Sequence, residues 1–220
     1  MIGSFDNLNL ITLWATSHES YLAQYIYEFL VTSESDNNEI NDGKRLREVY
    51  FIDSIDSFPL QQFQRCVDDT TKHVYDHIRI NNCLNLSELQ EIIKKITETL
   101  VLRKIHNKKT KEMEPLEILC IFNGLDVIFR STTVNQSAES TNQQMREIML
   151  KIRQLCNEYD ETPITFKVVL LFNRNDVIGL LPKERISRLQ QQKRLKYSSV
   201  MEGNSVGDYI GKYYCDDVII

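Results

Sequence analysis

The sequence predicts an α/β fold in which a mostly parallel central sheet is flanked by helices. Five short runs rich in Ile, Leu, Val and Phe punctuate the chain, and helical patterns lie between them. The first run and the last two lack polar alternation, as expected of strands that are covered on both faces. Strands that alternate with helices imply right-handed βαβ units with helices on both faces of the sheet.

Each predicted strand corresponds to one apolar run. In chain order the runs are residues 8–14, 49–52, 78–80, 116–122 and 166–172. Three apolar stripes at helical spacing separate these strands, and they include Leu22, Leu89 and Met145. Ser87, with Gln90 three residues later, is spaced as a capping box, which predicts that the second of these helices begins there.

The length of 220 residues fits a single core domain that spans residues 1–220. Three polar segments, poor in aromatic residues, are predicted to be flexible loops. These segments are residues 32–47, 131–142 and 173–206.

The composition, 42% hydrophobic and 26% charged, is that of an ordinary soluble globular protein. No apolar run approaches the roughly 20 residues of a membrane span, and no basic residue precedes the first run as in a secretory signal. We therefore expect a protein of the cytosol or the nucleus. The five scattered cysteines predict reduced thiols rather than structural zinc. His73 and His77 lack a nearby third metal ligand and are interpreted as a surface pair.

Residues that carry nucleotide chemistry are missing from the predicted carboxyl edge of the sheet. The hexapeptide of residues 15–20 holds neither glycine nor lysine, so it cannot form a phosphate cradle of converging N–H groups and positive charge. Ser17 and Ser20 are interpreted as caps of the following helix. After the second strand, Asp53 and Asp56 are expected to solvate the strand end rather than act as a catalytic pair.

The segments around these positions resemble the RecA-family recombinases of the eukaryotic type. FIDSIDSF resembles the family motif IDTEGTF, but Ile55 stands at the position of the glutamate that polarises the attacking water. PLEILCIFNGLDVIFR falls where the family keeps its Walker B strand, and Asn123 occupies the position of the aspartate that holds Mg²⁺. The resemblance implies a RecA-like fold with degenerate nucleotide-binding motifs, no enzymatic activity, no cofactor and no bound metal.

Five segments together resemble a narrower family, the chromosome-segregation-in-meiosis subunits of the yeast Shu complex. They are LITLW, FIDSIDSFPLQQFQ, IRINNCLNL, PLEILCIFNGLDVIFR and GNSVGDYIGKYY. This resemblance implies a non-catalytic DNA-binding accessory subunit that aids recombinase filament assembly in homologous recombination and error-free DNA damage tolerance. It implies as partners a second RecA-like paralogue (the platinum-sensitivity protein), the other Shu subunits, the recombinase machinery, and single-stranded, forked or gapped DNA. The alternative is a scaffold subunit whose partner alone contacts DNA.

A basic segment is the predicted DNA contact. In recombinases the DNA-contacting loops follow the Walker B strand and the next core strand, which correspond here to residues 131–142 and to the segment after Phe172. The first is nearly uncharged, whereas the second carries cations suited to phosphates. These cations are Lys183, Arg185, Arg188, Lys193, Arg194 and Lys196. There are two alternatives: this segment is a solvated amphipathic helix, or residues 193–196 serve as a nuclear-import patch. A second basic stretch, residues 103–111, is expected to be a solvated helix end.

Overall fold

The computed structural model describes residues 4–15, 19–35, 45–110, 115–159, 163–180 and 205–219. In chain order the strands and α-helices of these residues are β1 (Ile11–Ala15), α1 (Glu19–Ser35), β2 (Leu46–Asp53), α2 (Leu60–Cys66), β3 (Ile78–Asn82), α3 (Leu86–Thr110), β4 (Leu116–Asn123), α4 (Leu125–Asn135), α5 (Ala138–Glu158), β5 (Ile164–Phe172), α6 (Val206–Tyr213) and β6 (Asp217–Ile219). Short 3-10 helices cover Phe5–Asn7, Lys72–His77, Arg174–Asp176 and Ile178–Leu180. None of the described helices is both long and apolar enough to cross a membrane.

The six described strands form one sheet in the order β3-β2-β4-β5-β1-β6, and every neighbouring pair is parallel. The prediction of an α/β fold with a parallel sheet is confirmed. A single strand, β5, separates β1 from β4, and this arrangement is consistent with a RecA-like fold. Because the strands are parallel, their carboxyl ends share one edge of the sheet, where ligands of such folds bind.

Apolar side chains fill the space on both faces of the sheet. One core cluster includes Leu89 of α3 and Met145 of α5, and the other includes Leu22 of α1 and Phe63 of α2. The three predicted helical stripes therefore face the core. Burial on both faces explains why the central strands show no polar alternation.

Strand β1 lies between two strands from late in the sequence. It pairs with β5 on one side and with β6 on the other. Beside β6, the Ile11 N–H donates to Asp216 Oδ2 at 2.9 Å, and the Asp216 N–H donates to Ile11 O at 2.8 Å. The Arg153 guanidinium of α5 pairs with the same carboxylate at 2.7 Å and fixes this junction to the helical layer.

The predicted loop at residues 131–142 is wrong, because helices α4 and α5 occupy it with only residues 136 and 137 between them. Thr132 and Thr141 are buried, and each hydroxyl donates to the carbonyl four residues earlier, at 2.9 and 3.0 Å. Polar side chains satisfied in this way can lie inside a helix. Ser137 caps α5, since its Oγ accepts from the Ser140 N–H at 3.2 Å.

The other two predicted loops fall largely outside the described residues. Residues 32–35 belong to α1 and residues 46–47 to β2, whereas 36–44 are not described. In the loop predicted at residues 173–206, Arg174–Asp176 and Ile178–Leu180 form 3-10 helices, Ser205 caps α6, which begins at Val206, and residues 181–204 are not described.

The start of α3 differs from the predicted capping box. The helix begins at Leu86, and the Oδ1 of the preceding Asn85 accepts from the Glu88 N–H at 3.0 Å. Glu88 in turn accepts from the Leu84 N–H at 2.8 Å. An amide oxygen caps as well as a hydroxyl does, so Asn85 and Glu88 take the roles predicted for Ser87 and Gln90.

Candidate functional site

The carboxyl ends of β2 and β4 bring two polar side chains together at the edge where nucleotides bind in such folds. Asp53 and Asn123 are register partners in the parallel pairing of these strands. Asn123 Nδ2 donates to Asp53 Oδ1 at 3.2 Å and to Ser57 Oγ at 2.5 Å. Asp53 is 1% exposed, so these contacts replace water for a buried carboxylate.

Asp53 organises the turn that follows β2. Its Oδ1 accepts from the Ile55 N–H at 3.2 Å and its Oδ2 accepts from the Ser57 N–H at 2.6 Å. Within this turn Asp56 adopts a φ of +52°, a left-handed conformation that Asp tolerates better than most residues. The expectation that Asp53 solvates the strand end is wrong, because its oxygens are used inside the protein.

Gly124 joins the end of β4 to α4 with a φ of +80°. A Cβ at this position would lie 1.9 Å from Ser54 Oγ, so a larger residue would clash as well as being strained. Ser54 Oγ donates to the carbonyls of Asn123 and Gly124 at 3.2 and 2.9 Å. These bonds tie the two strand ends to each other.

Cys83 lies next to this network, and its backbone N–H donates to Asp53 O at 2.9 Å. Burial raises the pKa of the Cys83 thiol to about 12. The group is therefore a neutral thiol near pH 7 and adds no charge to the site.

The described residues of this edge do not fit a Mg²⁺–nucleotide complex. The Asp53 carboxylate is already bonded to two backbone N–H groups and one amide. The Asn123 Nδ2–H group donates a hydrogen bond to Asp53, whereas a Mg²⁺ site needs convergent oxygens. Ile55, half exposed, offers no group that could polarise water. Residues 16–18 lie outside the described residues, so the missing phosphate cradle stays a prediction from sequence.

The six cations predicted to contact DNA, Lys183, Arg185, Arg188, Lys193, Arg194 and Lys196, also lie outside the described residues. The second basic stretch does form the end of a helix, because α3 runs to Thr110. Its first members are paired rather than solvated. Arg103 bonds Glu48 at 2.6 Å, and Lys104 lies 3.5 Å from Glu158 and 5.2 Å from the centre of the Tyr159 ring.

His73 and His77 share the 3-10 helix before β3, with ring centres 6.3 Å apart. Among the described residues, no group of three His, Cys, Asp or Glu side chains is arranged to hold a metal ion.

Sequence reasoning identified Asp53, Ile55 and Asn123 but missed Ser57 and Gly124. The Asn-Gly pair that ends β4 was an available signal, because this dipeptide favours positive φ. The role of Ser57 depends on the fold of the turn and had no signal of its own.

The sequence of this chain is similar to those of known proteins. Residues 11–215 match the model of a family described as "Shu complex component Csm2, DNA-binding". The chain is 51% identical over 214 residues to Chromosome segregation in meiosis protein 2 of Candida glabrata, covering 97% of each chain. The protein of the same name from Saccharomyces cerevisiae is 30% identical over 220 residues, covering 97% of this chain and 98% of the relative. That of Eremothecium gossypii is 27% identical over 184 residues, 79% of this chain and 86% of the relative.

Proposed function

Because this chain belongs to the Csm2 family of Shu complex components, we propose that it is a non-catalytic, DNA-binding accessory subunit of a Shu-type complex. It aids recombinase filament assembly in homologous recombination and error-free DNA damage tolerance, and it acts in the nucleus. Its partners are a second RecA-like paralogue, the other Shu subunits, and single-stranded, forked or gapped DNA. The observation that carries this proposal is the match of residues 11–215 to a family described as DNA-binding.

The polar network at the ends of β2 and β4 supports the non-catalytic part of the proposal. It uses the oxygens of Asp53 for structure and directs the Asn123 amide at them. Equilibrium dialysis of the full chain with Mg²⁺ and labelled ATP should detect no micromolar binding. Saturable binding of ATP would contradict this part.

The segment 183–196 is the proposed DNA contact outside the described residues. It contains six basic residues and one acidic residue in a chain of net charge −5, so its local charge is opposite to that of the whole chain. Such a segment attracts phosphates without reading base sequence.

The test is a titration of the complex with forked DNA at several salt concentrations. Replacing Lys193, Arg194 and Lys196 by alanine should flatten the slope of log affinity against log salt by about two to three, at roughly 0.9 per lost contact. A matched control replaces the exposed Lys72, Lys94 and Lys151 by alanine and should leave the slope unchanged. An unchanged slope in the first variant would assign DNA binding to the partner and make this chain a scaffold.

A further inference from the structure

We propose that a cleft between β3 and α3 binds a phosphate group of the DNA backbone, as a second contact separate from residues 183–196. This inference rests on the proposed DNA binding and names a further site for it. The cleft has a volume of about 270 Å³. Its polar lining consists of Tyr50, Arg79, Asn81, Lys95, Thr99 and Arg103.

The sequence places these side chains together through two periodicities. Arg79 is the register partner of Tyr50, whose side chain belongs to the core cluster shared with α3. Register partners on neighbouring strands project to the same face of a sheet, so Arg79 lies on the α3 side, and Asn81, two residues later in β3, shares that face. On α3, Lys95 and Arg103 are eight residues apart and lie along one stripe of the helix.

The charge of the cleft favours an anion. Among the described residues around the cleft, Arg79, Lys95 and Arg103 are cations, and because Arg103 is paired with the Glu48 carboxylate, Arg79 and Lys95 are the two charges left uncompensated. Glu48 is 4% exposed and bonds Arg103 Nη2 at 2.6 Å. The acids Glu91 and Glu98 of α3 line a different groove, between α3 and α5.

Several hydrogen-bond donors around the cleft have no acceptor among the described residues. Two atoms of the Arg103–Glu48 ion pair, Arg103 Nη1 and Glu48 Oε2, are buried without a hydrogen-bond partner, which is a costly state. An anion in the cleft would offer Arg103 Nη1 an acceptor. Arg79 and Lys95 are exposed and form no ion pair with the described residues. The Tyr50 hydroxyl accepts a hydrogen bond from the Arg79 side chain. Burial, with a smaller contribution from Glu48, raises the pKa of Tyr50 despite this bond, so the hydroxyl stays protonated and can donate to an anion.

The position of the cleft suits a polymer rather than an enclosed small molecule. Strand β3 is the outermost described strand on its side of the sheet, so the cleft opens at the sheet edge. Guanidinium and ammonium groups together are the usual partners of phosphate in nucleic-acid complexes. We therefore assign the anion to a backbone phosphate of DNA.

The test measures the affinity of the full chain, in its complex, for forked DNA across a range of salt concentrations. The variant Arg79→Ala/Lys95→Ala should flatten the salt slope by about 1.4 to 1.8, since each contact contributes roughly 0.7 on single strands and 0.9 on duplex. The control Lys94→Ala/Arg146→Ala removes the same charges from exposed positions outside the cleft and should keep the wild-type slope. Lys95→Gln alone, at an exposed helix position, should give half of the effect even if the double variant folds poorly.

The results distinguish failure of the proposed cleft contact from failure of the proposed function. If the wild-type complex binds DNA and the cleft variants behave like the control, the cleft is not a DNA contact and the proposed function stands. If the wild-type complex does not bind DNA, both are overturned. A parallel arm follows the melting temperature with sodium phosphate at matched ionic strength. Stabilisation of the wild type alone, together with unchanged DNA slopes, would assign the cleft to free phosphate and overturn the DNA contact.

Discussion

Replacing Asn123 by aspartate should convert a stabilising contact of the β2–β4 edge into a repulsion. The amide Nδ2 donates to Asp53 Oδ1 at 3.2 Å, and the substitution puts a second carboxylate oxygen at about this distance from a side chain that is 1% exposed. Two unit charges so placed repel by about 5 kcal/mol at an effective dielectric constant of about 20. This value is an upper bound, because the introduced carboxyl can take up a proton instead.

Protonation limits the loss and gives it a pH dependence. Keeping a proton on a carboxyl of ordinary pKa near 3.9 costs about 4 kcal/mol at pH 7 and about 1.5 kcal/mol at pH 5. The repelling neighbour raises the folded-state pKa of the introduced carboxyl above its unfolded value. Its penalty is therefore absent below about pH 4 and grows as the pH rises. We expect Asn123→Asp to lower the free energy of unfolding by about 2 to 4 kcal/mol at pH 7 and by about 1 to 1.5 kcal/mol at pH 5.

The assay is urea unfolding of the full chain at pH 5, 6 and 7, followed by fluorescence of Trp14, the single tryptophan, which is 6% exposed. Asn175→Asp is the control, since this exposed residue gains the same charge without being bonded to Asp53. Millimolar Mg²⁺ should restore part of the stability of Asn123→Asp and leave the control unchanged. A loss below about 0.5 kcal/mol at pH 7, or one that does not vary with pH, would refute the reasoning.

Three further predictions concern the core, the strand junction and the thiols. Phe63→Ala should cost about 3 to 5 kcal/mol in urea unfolding because Phe63 is fully buried, and a cost below about 1 kcal/mol would contradict its core position. Gly124→Ala should lower the free energy of unfolding by about 1 to 3 kcal/mol, and adding Ser54→Ala should recover only part of that, because the positive φ remains; full recovery would show that only the clash matters. In thiol labelling at pH 8, Cys83 should react only after unfolding, since it is buried and has a pKa raised to about 12, whereas the partly exposed Cys66 should react in the native state; equal rates would contradict this packing.

The sheet was predictable because its strands carry strong local signals. Central strands buried on both faces read as continuous apolar runs, and β4 and β5 were found in this way. Strand β6 has three residues, two of them apolar, and its pairing with β1 depends on contacts made across the whole chain. A strand this short has no local sequence pattern that would predict it.

The sequence predicted which nucleotide-binding residues the candidate site lacks, but not the hydrogen bonds found in their place. The spacing of Ile55 and Asn123 after two apolar strands showed which chemistry is missing. The bonds that replace it, from Asn123 to Ser57 and from Ser57 to Asp53, depend on the turn geometry around Asp56. Helices α4 and α5 were predicted to be separated by a long loop for a related reason. Thr132 and Thr141 are polar residues, but their hydroxyls bond to the helix backbone, so both can be buried.

The position of β1 between β5 and β6 bears on how the protein is made. Among the described strands, β1 has neighbours only in segments that begin at Ile164 and Asp217. At about 5 to 20 residues per second, a ribosome needs roughly 8 to 30 s to pass from β1 to β5. During that time the apolar strand β1 lacks both of its neighbours in the sheet, and exposed apolar strands of this kind are prone to aggregate. The junction of Ile11 with Asp216 forms only after nearly the whole described chain has been translated.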